Sequence, residues 1–510
     1  MNPAQYLPQR IDNDAFDVAP LLLAGLLSDD PYPRIAFQGQ ALAGRDLRGD
    51  VAMLQSWFQA EGLVKGDRVA VMLGNSVQHV ALIYALVLSG LVWVPINTRL
   101  RGAGLHYILT HSAPRLLICD DEFASFLDGE VVDNIKLVNV DRQGWATSGQ
   151  SVSEPIRVPC DGGDTLSLIY TSGTTGAPKG VIFTHRMMRI ATEAALRVAN
   201  LKADDRAFLW EPLCHIGGAQ MVLMPFLEKI SLQMVERFSA SRFWQQWCET
   251  RATHLHYLGG VLDILMQLPA EAQPADARIP VAWGAGVAAS KWQPIRDRFD
   301  CELRECYGMT ECASFATLND TGKPGSIGRA LPWIKLSLLN DNDQPVPVGA
   351  AGQIVLESLL DGALLPGYWN NPQATAKALR HGRLYTGDMA RQDADGDLYY
   401  IGRASDSMRV RGENVSAWEV ERVFAEHPAI EMSAAVGVSS DIGEQEIFLY
   451  VKFNDDQAQS WRDVIEWAKP RLAAFQLPRY FMKIDRFDLT PSQRIQKHKL
   501  SPDVAAAWDR

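Results

Sequence analysis

The sequence predicts an α/β fold: a large N-terminal region built on parallel sheet, followed by a smaller α+β domain. Three observations lead there. Short apolar strands alternate with helices through the first four hundred residues, the rhythm of βαβ units. Several strands end in glycine, as strands do where backbone approaches a ligand. Near residue 400 the pattern changes to a hairpin and then a compact α+β block of ordinary domain size. A chain of 510 residues is expected to form two to four folding units, and 47% hydrophobic residues suffice for a sizeable core.

The elements follow in order. "DRVAVML" (67–73) reads as a strand, and "SVQHVALIYALVLSG" (76–90) as a helix capped by Ser76. "VWVPIN" (92–97) is the next strand, and "TLSLIY" (165–170) another. Thr184 is positioned to cap the helix "HRMMRIATEAALRVAN" (185–200). "ATHLHYLGG" (252–260), "PVAWGAG" (280–286) and "CELRECYG" (301–308) are strands whose glycine ends make a plausible common site. "LYTGDMARQDADGDLYYIGR" (384–403) reads as a hairpin turning at Asp395-Gly396. "SAWE" (416–419) opens a helix with a capping box, two strands follow, and another helix starts at Ser460. The domain boundary is placed near Asp406, giving domains 1–405 and 406–510.

Composition narrows the function. A net charge of -11 without a long Lys/Arg run argues against nucleic acid or anionic membrane as the main partner. The N-terminal stretch has no signal pattern, and the longest apolar run, from Ala81 to Ile96, is too short to span a bilayer. Seven scattered cysteines without metal-ligand spacing fit free thiols in a reducing cytosol. Cys214, beside a histidine, reads as packing rather than as a nucleophile.

"YTSGTTGAPKGV" (170–181) carries the chemistry. Gly173, Gly176 and Gly180 bare backbone N–H groups, Ser172, Thr174 and Thr175 add hydroxyls, and Lys179 adds one positive charge behind the stiff Pro178. These are the parts of a phosphate cradle. The spacing lacks the Gly-Lys-Ser/Thr of a P-loop, so a P-loop NTPase is not indicated. A Gly/Thr surface turn is the bland alternative for the loop taken alone.

The stretch resembles the phosphate-loop signature of the adenylate-forming superfamily of acyl-CoA synthetases, carrier-loading adenylation domains and firefly luciferase. "YGMTE" (307–311), "YTGD" (385–388) and "GRASDSMRVRGENVSAWEVE" (402–421) resemble its other landmarks in the same order, from about residue 20 to the end. The resemblance implies stacked α/β subdomains and a β-barrel-like part in the large domain, with a mobile small domain. It implies that an acid attacks the α-phosphate of ATP to give acyl-adenylate and pyrophosphate, and that a thiol, typically of coenzyme A, then displaces AMP.

Roles carry over by matching position. The resemblance assigns Thr171, Ser172, Gly173, Thr174, Thr175, Gly176 and Lys179 to the β- and γ-phosphates, and Tyr307 to stacking on adenine. It assigns Thr310 to the α-phosphate, Glu311 to Mg²⁺, Asp388 and Arg403 to the ribose, Gly412 to the pantetheine arm and Asp406 to the hinge. The acid pocket is expected from Trp210, His215, Gly217, Gly218, Tyr257, Gly259, Trp283 and Gly284, with His215 gating or lining the carboxylate site. Glu211 is unusual in so apolar a segment. It would pair with a cationic substrate or bond to backbone or water.

One landmark departs. The family's "TxxGKxxR" segment is here "LTPSQRIQKHKL" (489–500), with Gln493 and Arg494 at the Gly-Lys position. Arginine keeps the charge and can bridge two oxyanions. Arg494 is therefore expected to take the adenylation lysine's role, with Lys497 as runner-up. "PINTRLRGAGLHYIL" (95–109) and "RGENVSAWEVE" (411–421) look closest to crotonobetaine/carnitine-CoA ligases. The expectation is a cytoplasmic acid–CoA ligase using ATP, Mg²⁺ and coenzyme A. A carrier-loading enzyme served by a separate carrier, a luciferase-like oxygenase and a non-catalytic nucleotide-binding relative are the alternatives. The sequence leaves the acid open, and the oligomeric state open between monomer and homodimer.

Overall fold

The structure is a computed structural model. It describes residues 17–100, 102–124, 135–140, 154–171, 178–258, 260–403, 407–410, 413–439, 445–454, 459–472, 474–489, 495–501 and 503–510. The chain divides into two compact units. The first comprises Met1–Pro324, Gly328–Lys335 and Glu357–Leu384; the second comprises Gly325–Ile327, Leu336–Leu356 and Tyr385–Arg510. Residues 385–405 thus group with the C-terminal unit, whereas the sequence reading placed them before the boundary. The hinge position expected at Asp406 lies outside the described residues. Among the described residues no helix is long and apolar enough to cross a membrane.

The first unit holds two large sheets. One runs in the order Lys136–Val140, Leu116–Asp120, Arg68–Met72, Val92–Pro95, Thr165–Thr171, Lys179–Thr184, parallel except for the last strand. The helix Val77–Ser89 connects two of these strands. Ser76 caps it by accepting from the His79 N–H, and Gly90 ends it in a left-handed conformation. That helix is apolar almost all round and buried almost throughout, as a helix inside the core of a large protein is. In the other sheet, Glu302–Tyr307, Val281–Ala285, His254–Leu258, Arg206–Leu209, Ser231–Met234 and Ile35–Phe37 lie side by side and parallel. Their carboxyl ends therefore share one edge, where α/β sheets bind ligands.

The helix His185–Ala199 packs against strands of both sheets. Thr184 caps it through the Met187 N–H, as its sequence predicts. The sequence reading ran the glycine-rich loop straight into this helix. The structure instead inserts the strand Lys179–Thr184, antiparallel to Thr165–Thr171. "GVIF" (180–183) is too short a run for periodicity to separate a strand from the start of a helix.

Most residues of a five-stranded sheet belong to the second unit, including the expected hairpin of Arg383–Gln392 and Leu398–Arg403. Gly396 takes φ +90° at its turn. Farther on, Ile430–Ser439, Gln445–Phe453, Tyr480–Lys483 and Trp508–Asp509 form a second sheet. Helices Ala417–Ala425 and Trp461–Ala468 supply its apolar partners, among them Val420, Phe424, Val464 and Ile465. Ser460 caps the latter helix.

Removing the hydroxyl at the central cap tests its contribution. Thr184→Ala is expected to lower stability by about 1 kcal/mol, measured by denaturant unfolding, whereas Thr184→Ser stays close to the parent.

Candidate functional site

The strands that flank the glycine-rich stretch, Thr165–Thr171 and Lys179–Thr184, pair antiparallel. Thr171 pairs with Lys179, and Tyr170 with Gly180. Ser172, Gly173, Thr174, Thr175 and Gly176 lie outside the described residues. A second segment joins the other side of the Lys179 strand: the Trp369 N–H donates to the Gly180 carbonyl at 2.8 Å, and the Ile182 N–H to Gly367 at 3.1 Å. This places Tyr368 beside the cradle. The Lys179 ammonium lies 5.2 Å from the centre of the Tyr368 ring, and the Tyr368 hydroxyl donates to Glu311 Oε1 at 2.9 Å. Lysine and buried glutamate thus flank one tyrosine. Tyr368 was not found from sequence; its only signal is an aromatic pair, Tyr368-Trp369, after Pro366-Gly367 in a loop-like stretch.

Glu311 sits in the short turn Thr310–Cys312, and both Thr310 and Glu311 are buried. The turn follows the carboxyl end of Glu302–Tyr307, where the Tyr307 N–H donates to Thr317 Oγ1 at 3.0 Å. Gly308 is required at this bend: a Cβ there would lie 1.8 Å from the Ser314 carbonyl oxygen.

The neighbouring strand ends in the turn of "WGAG". Gly284 has φ +155°, and a Cβ on it would lie 1.8 Å from the Tyr257 carbonyl oxygen. Glu305 pins this turn. Its Oε1 accepts from the Gly286 N–H and from the Val287 N–H at 3.1 Å, and its Oε2 accepts from the Tyr257 hydroxyl at 2.6 Å. Burial pushes the Glu305 carboxyl up to about 7, against the hydrogen bonds from Tyr257 and the turn that hold it down. Tyr257 was expected in the acid pocket. Its side chain instead packs in the apolar core with Phe208, Leu255 and Trp292. Side chains alternate along a strand, so Tyr257 and its neighbour His256 take opposite faces.

His256 stacks on Trp283 with ring centres 4.0 Å apart and 29° between planes. Its Nδ1 bonds to Glu211 Oε1, and the Trp210 indole N–H donates to the His256 carbonyl at 2.7 Å. Glu211 is 1% exposed. A Cβ on Gly217 would lie 3.4 Å from His256 Cε1, and one on Gly218 would lie 2.6 Å from the Pro212 carbonyl oxygen. His215 lies 3.2 Å, Nε2 to Nδ2, from Asn97, and burial lowers it to about 4, so it is neutral and accepts from the amide. Burial pushes the Cys214 thiol up to about 12, which suits packing and not nucleophilic attack. All seven cysteines are free. Gly259 lies outside the described residues.

In the second unit, Asp388 and Arg403 face one another across the hairpin, Arg403 Nε to Asp388 Oδ1 at 2.9 Å. The Tyr400 hydroxyl donates to the same oxygen at 3.2 Å. Lys497 is ion-paired with Glu421 at 2.8 Å. Leu489 and Ile495 form an antiparallel bridge, and the Gln496 N–H donates to the Asp488 carbonyl at 2.8 Å. Arg494 and Gly412 lie outside the described residues.

Glu305 gives stability a pH slope. Its folded-state pKa of about 7 exceeds the ordinary 4.5, so the folded protein holds the extra proton between these values. Its contribution is therefore present at the acid end and lost as pH rises through about 7. Comparing unfolding free energies of the parent and Glu305→Gln from about pH 5 to about pH 8 is expected to show a decline in the parent that the variant lacks.

Residues 29–369 match the AMP-binding enzyme family, and residues 419–494 match the AMP-binding enzyme C-terminal domain. The chain is 31% identical over 513 aligned positions to a sulfoacetate–CoA ligase of Cupriavidus necator, spanning 96% of this chain and 99% of that protein. It is 28% identical to a crotonobetaine/carnitine–CoA ligase of Shigella dysenteriae, spanning 85% and 88%. In fold it resembles o-succinylbenzoate coenzyme A synthetase from Bacillus subtilis, solved with ATP and a magnesium ion, with a TM-score of 0.83 at 23% identity over 94% of this chain and 98% of that one. The ordered landmarks and these matches agree: the chain belongs to the AMP-binding enzyme family, among its acid–CoA ligases.

Proposed function

We propose that the protein activates a carboxylic acid with MgATP and passes the acyl group to the thiol of coenzyme A. The observation that carries this reading is the grouping of Lys179, Tyr368 and Glu311 at the base of the glycine-rich hairpin. A carboxylate is a poor electrophile with a poor leaving group. Attack of its oxygen on the α-phosphate of ATP forms a P–O bond and expels pyrophosphate, leaving the acyl carbon bonded to AMP. The thiolate sulfur then attacks that carbon and AMP leaves. Both steps are governed by positioning and charge stabilisation.

In this reading Lys179 and the glycine-rich stretch hold the β- and γ-phosphates, and Thr310 contacts the α-phosphate. Glu311, a buried carboxylate already oriented by Tyr368, suits a hard cation. Mg²⁺ held there supplies charge neutralisation at the phosphate oxygens. Tyr307 stacks on adenine. Asp388, fixed by Arg403 and Tyr400, accepts from the ribose hydroxyls. Gly412 meets the pantetheine arm, Asp406 is the hinge, and the protein works in the cytoplasm.

Arg494 takes the adenylation lysine's role in preference to Lys497, whose ammonium is ion-paired with Glu421. Arg494→Ala is expected to slow acyl-adenylate formation by about 100-fold or more, while thioester formation from supplied acyl-adenylate stays near the parent rate. Equal loss in both half-reactions, or in neither, overturns the assignment.

The reading as a whole is tested by pyrophosphate release from MgATP across a panel of carboxylic acids, with and without coenzyme A. Acid-dependent release with acyl-CoA and AMP as products is expected. Acyl transfer to a carrier protein but not to coenzyme A would make it a carrier-loading enzyme. Bound ATP with no release for any acid would make it a non-catalytic relative.

A further inference from the structure

The reaction above gives Glu211 no part, yet it is a buried carboxylate with one oxygen lacking a partner among the described residues. We propose that Glu211, held by His256, recognises the end of the acid remote from its carboxylate, and that this end carries a hydrogen-bond donor, an O–H or N–H. The inference rests on the acid–CoA ligase reading and names the substrate class of that site.

Position comes first. Glu211 follows the strand Arg206–Leu209, His256 lies in His254–Leu258, and Trp283 in Val281–Ala285. These strands are adjacent and parallel, and the next parallel strand ends at Tyr307. Glu211 follows the carboxyl end of its strand, while His256 and Trp283 pair in the middle of theirs, level with Arg304 and below the edge that presents Tyr307, Thr310 and Glu311. A Cβ on Gly260, just beyond the strand that carries His256, would meet nothing within 4 Å.

Chemistry comes second. Glu211 Oε1 is bonded to His256 Nδ1, but Glu211 Oε2 is buried and has no partner among the described residues. A buried carboxylate oxygen without a donor is destabilising, because it has lost its water and gained nothing in return. Glu305, also buried, has donors at both oxygens. Nor is the Glu211 carboxylate needed to hold its own loop. Asn75 does that, donating to the Glu211 carbonyl at 2.8 Å and accepting from the Leu213 N–H at 3.1 Å. Oε2 therefore keeps an unused capacity to accept a hydrogen bond.

The pair is also held still. His256 lies flat on Trp283, its carbonyl is anchored by Trp210, and Gly217 closes over its ring edge. With His256 Nδ1 bonded to Oε1, the imidazole leaves Oε2 to accept from another group. A donor on the substrate would complete the second oxygen. A second anion, such as a sulfonate, would place like charges together in a low-dielectric site. A methyl end would leave Oε2 unfilled. A quaternary ammonium brings charge but no hydrogen to donate.

The test uses the full chain and acid-dependent pyrophosphate release from MgATP. Hydroxy and amino acids of graded length are compared with methyl-, sulfonate- and trimethylammonium-ended acids of the same length. A hydroxy or amino acid is expected to exceed its methyl counterpart in kcat/KM by at least about 100-fold. In Glu211→Gln and Glu211→Leu that ratio is expected to fall toward one. The ratio is taken within each variant, so a general loss of activity cancels. A parent enzyme that prefers a methyl, sulfonate or trimethylammonium end overturns the inference whether or not the variants fold. So does an unchanged ratio in folded Glu211→Gln. Release with no acid at all overturns the ligase reading, and this inference with it.

Discussion

The first unit depends on one buried helix, His185–Ala199, packed against strands of both of its sheets. It carries a buried ion pair, Arg189 to Glu193 at 2.8 Å, one turn apart. Removing either partner of such a pair leaves an uncompensated charge in the interior. The Arg304 guanidinium donates to the Val198 carbonyl at 2.6 Å, tying the strand that ends in Tyr307 to the helix C-terminus. The other end of the helix continues without a break from the strand Lys179–Thr184. One rigid element therefore fixes the base of the phosphate hairpin relative to the strand that leads to Tyr307, Thr310 and Glu311.

Two buried glutamates, Glu305 in a strand and Glu211 just after one, show how burial alone leaves function undecided. Glu305 fills both oxygens with donors from its own chain and so locks the turn after Trp283. Glu211 fills one and leaves the other open. Equal exposure conceals opposite roles, because the cost of a buried charge depends on its partners. A satisfied carboxylate rigidifies the fold, and an unsatisfied one favours whatever ligand completes it.

The second unit organises its own residues by the same rule. Asp388 and Arg403 come from opposite strands of one hairpin, so their pairing is set by register and not by loop conformation. Lys497 is drawn to Glu421, whose Oε1 also accepts from the Ala435 N–H at 2.7 Å. That carboxylate links the C-terminal segment to the helix Ala417–Ala425 and the strand Ile430–Ser439.

Much was legible in sequence because it is local. Ser76, Thr184 and Ser460 cap their helices through N–H groups three residues on, a contact that the chain makes with itself. The turn at Gly396 and the parallel strands ending in glycine are local in the same sense, and the ordered motifs identified the family and the reaction. The sequence did not reveal what long-range contact decides. Tyr368 meets Glu311 from 57 residues away, and only strand addition at Gly180 brings it there. Tyr257 and His256 are adjacent in sequence, yet strand alternation sends one to the core and the other to the site. Glu211 stood out as a charge in an apolar stretch, but its partner lies 45 residues on, and only packing shows which of its oxygens is filled. Local hydrogen bonding and periodicity are written in neighbouring residues, whereas the satisfaction of a buried charge depends on groups that only the folded chain brings together.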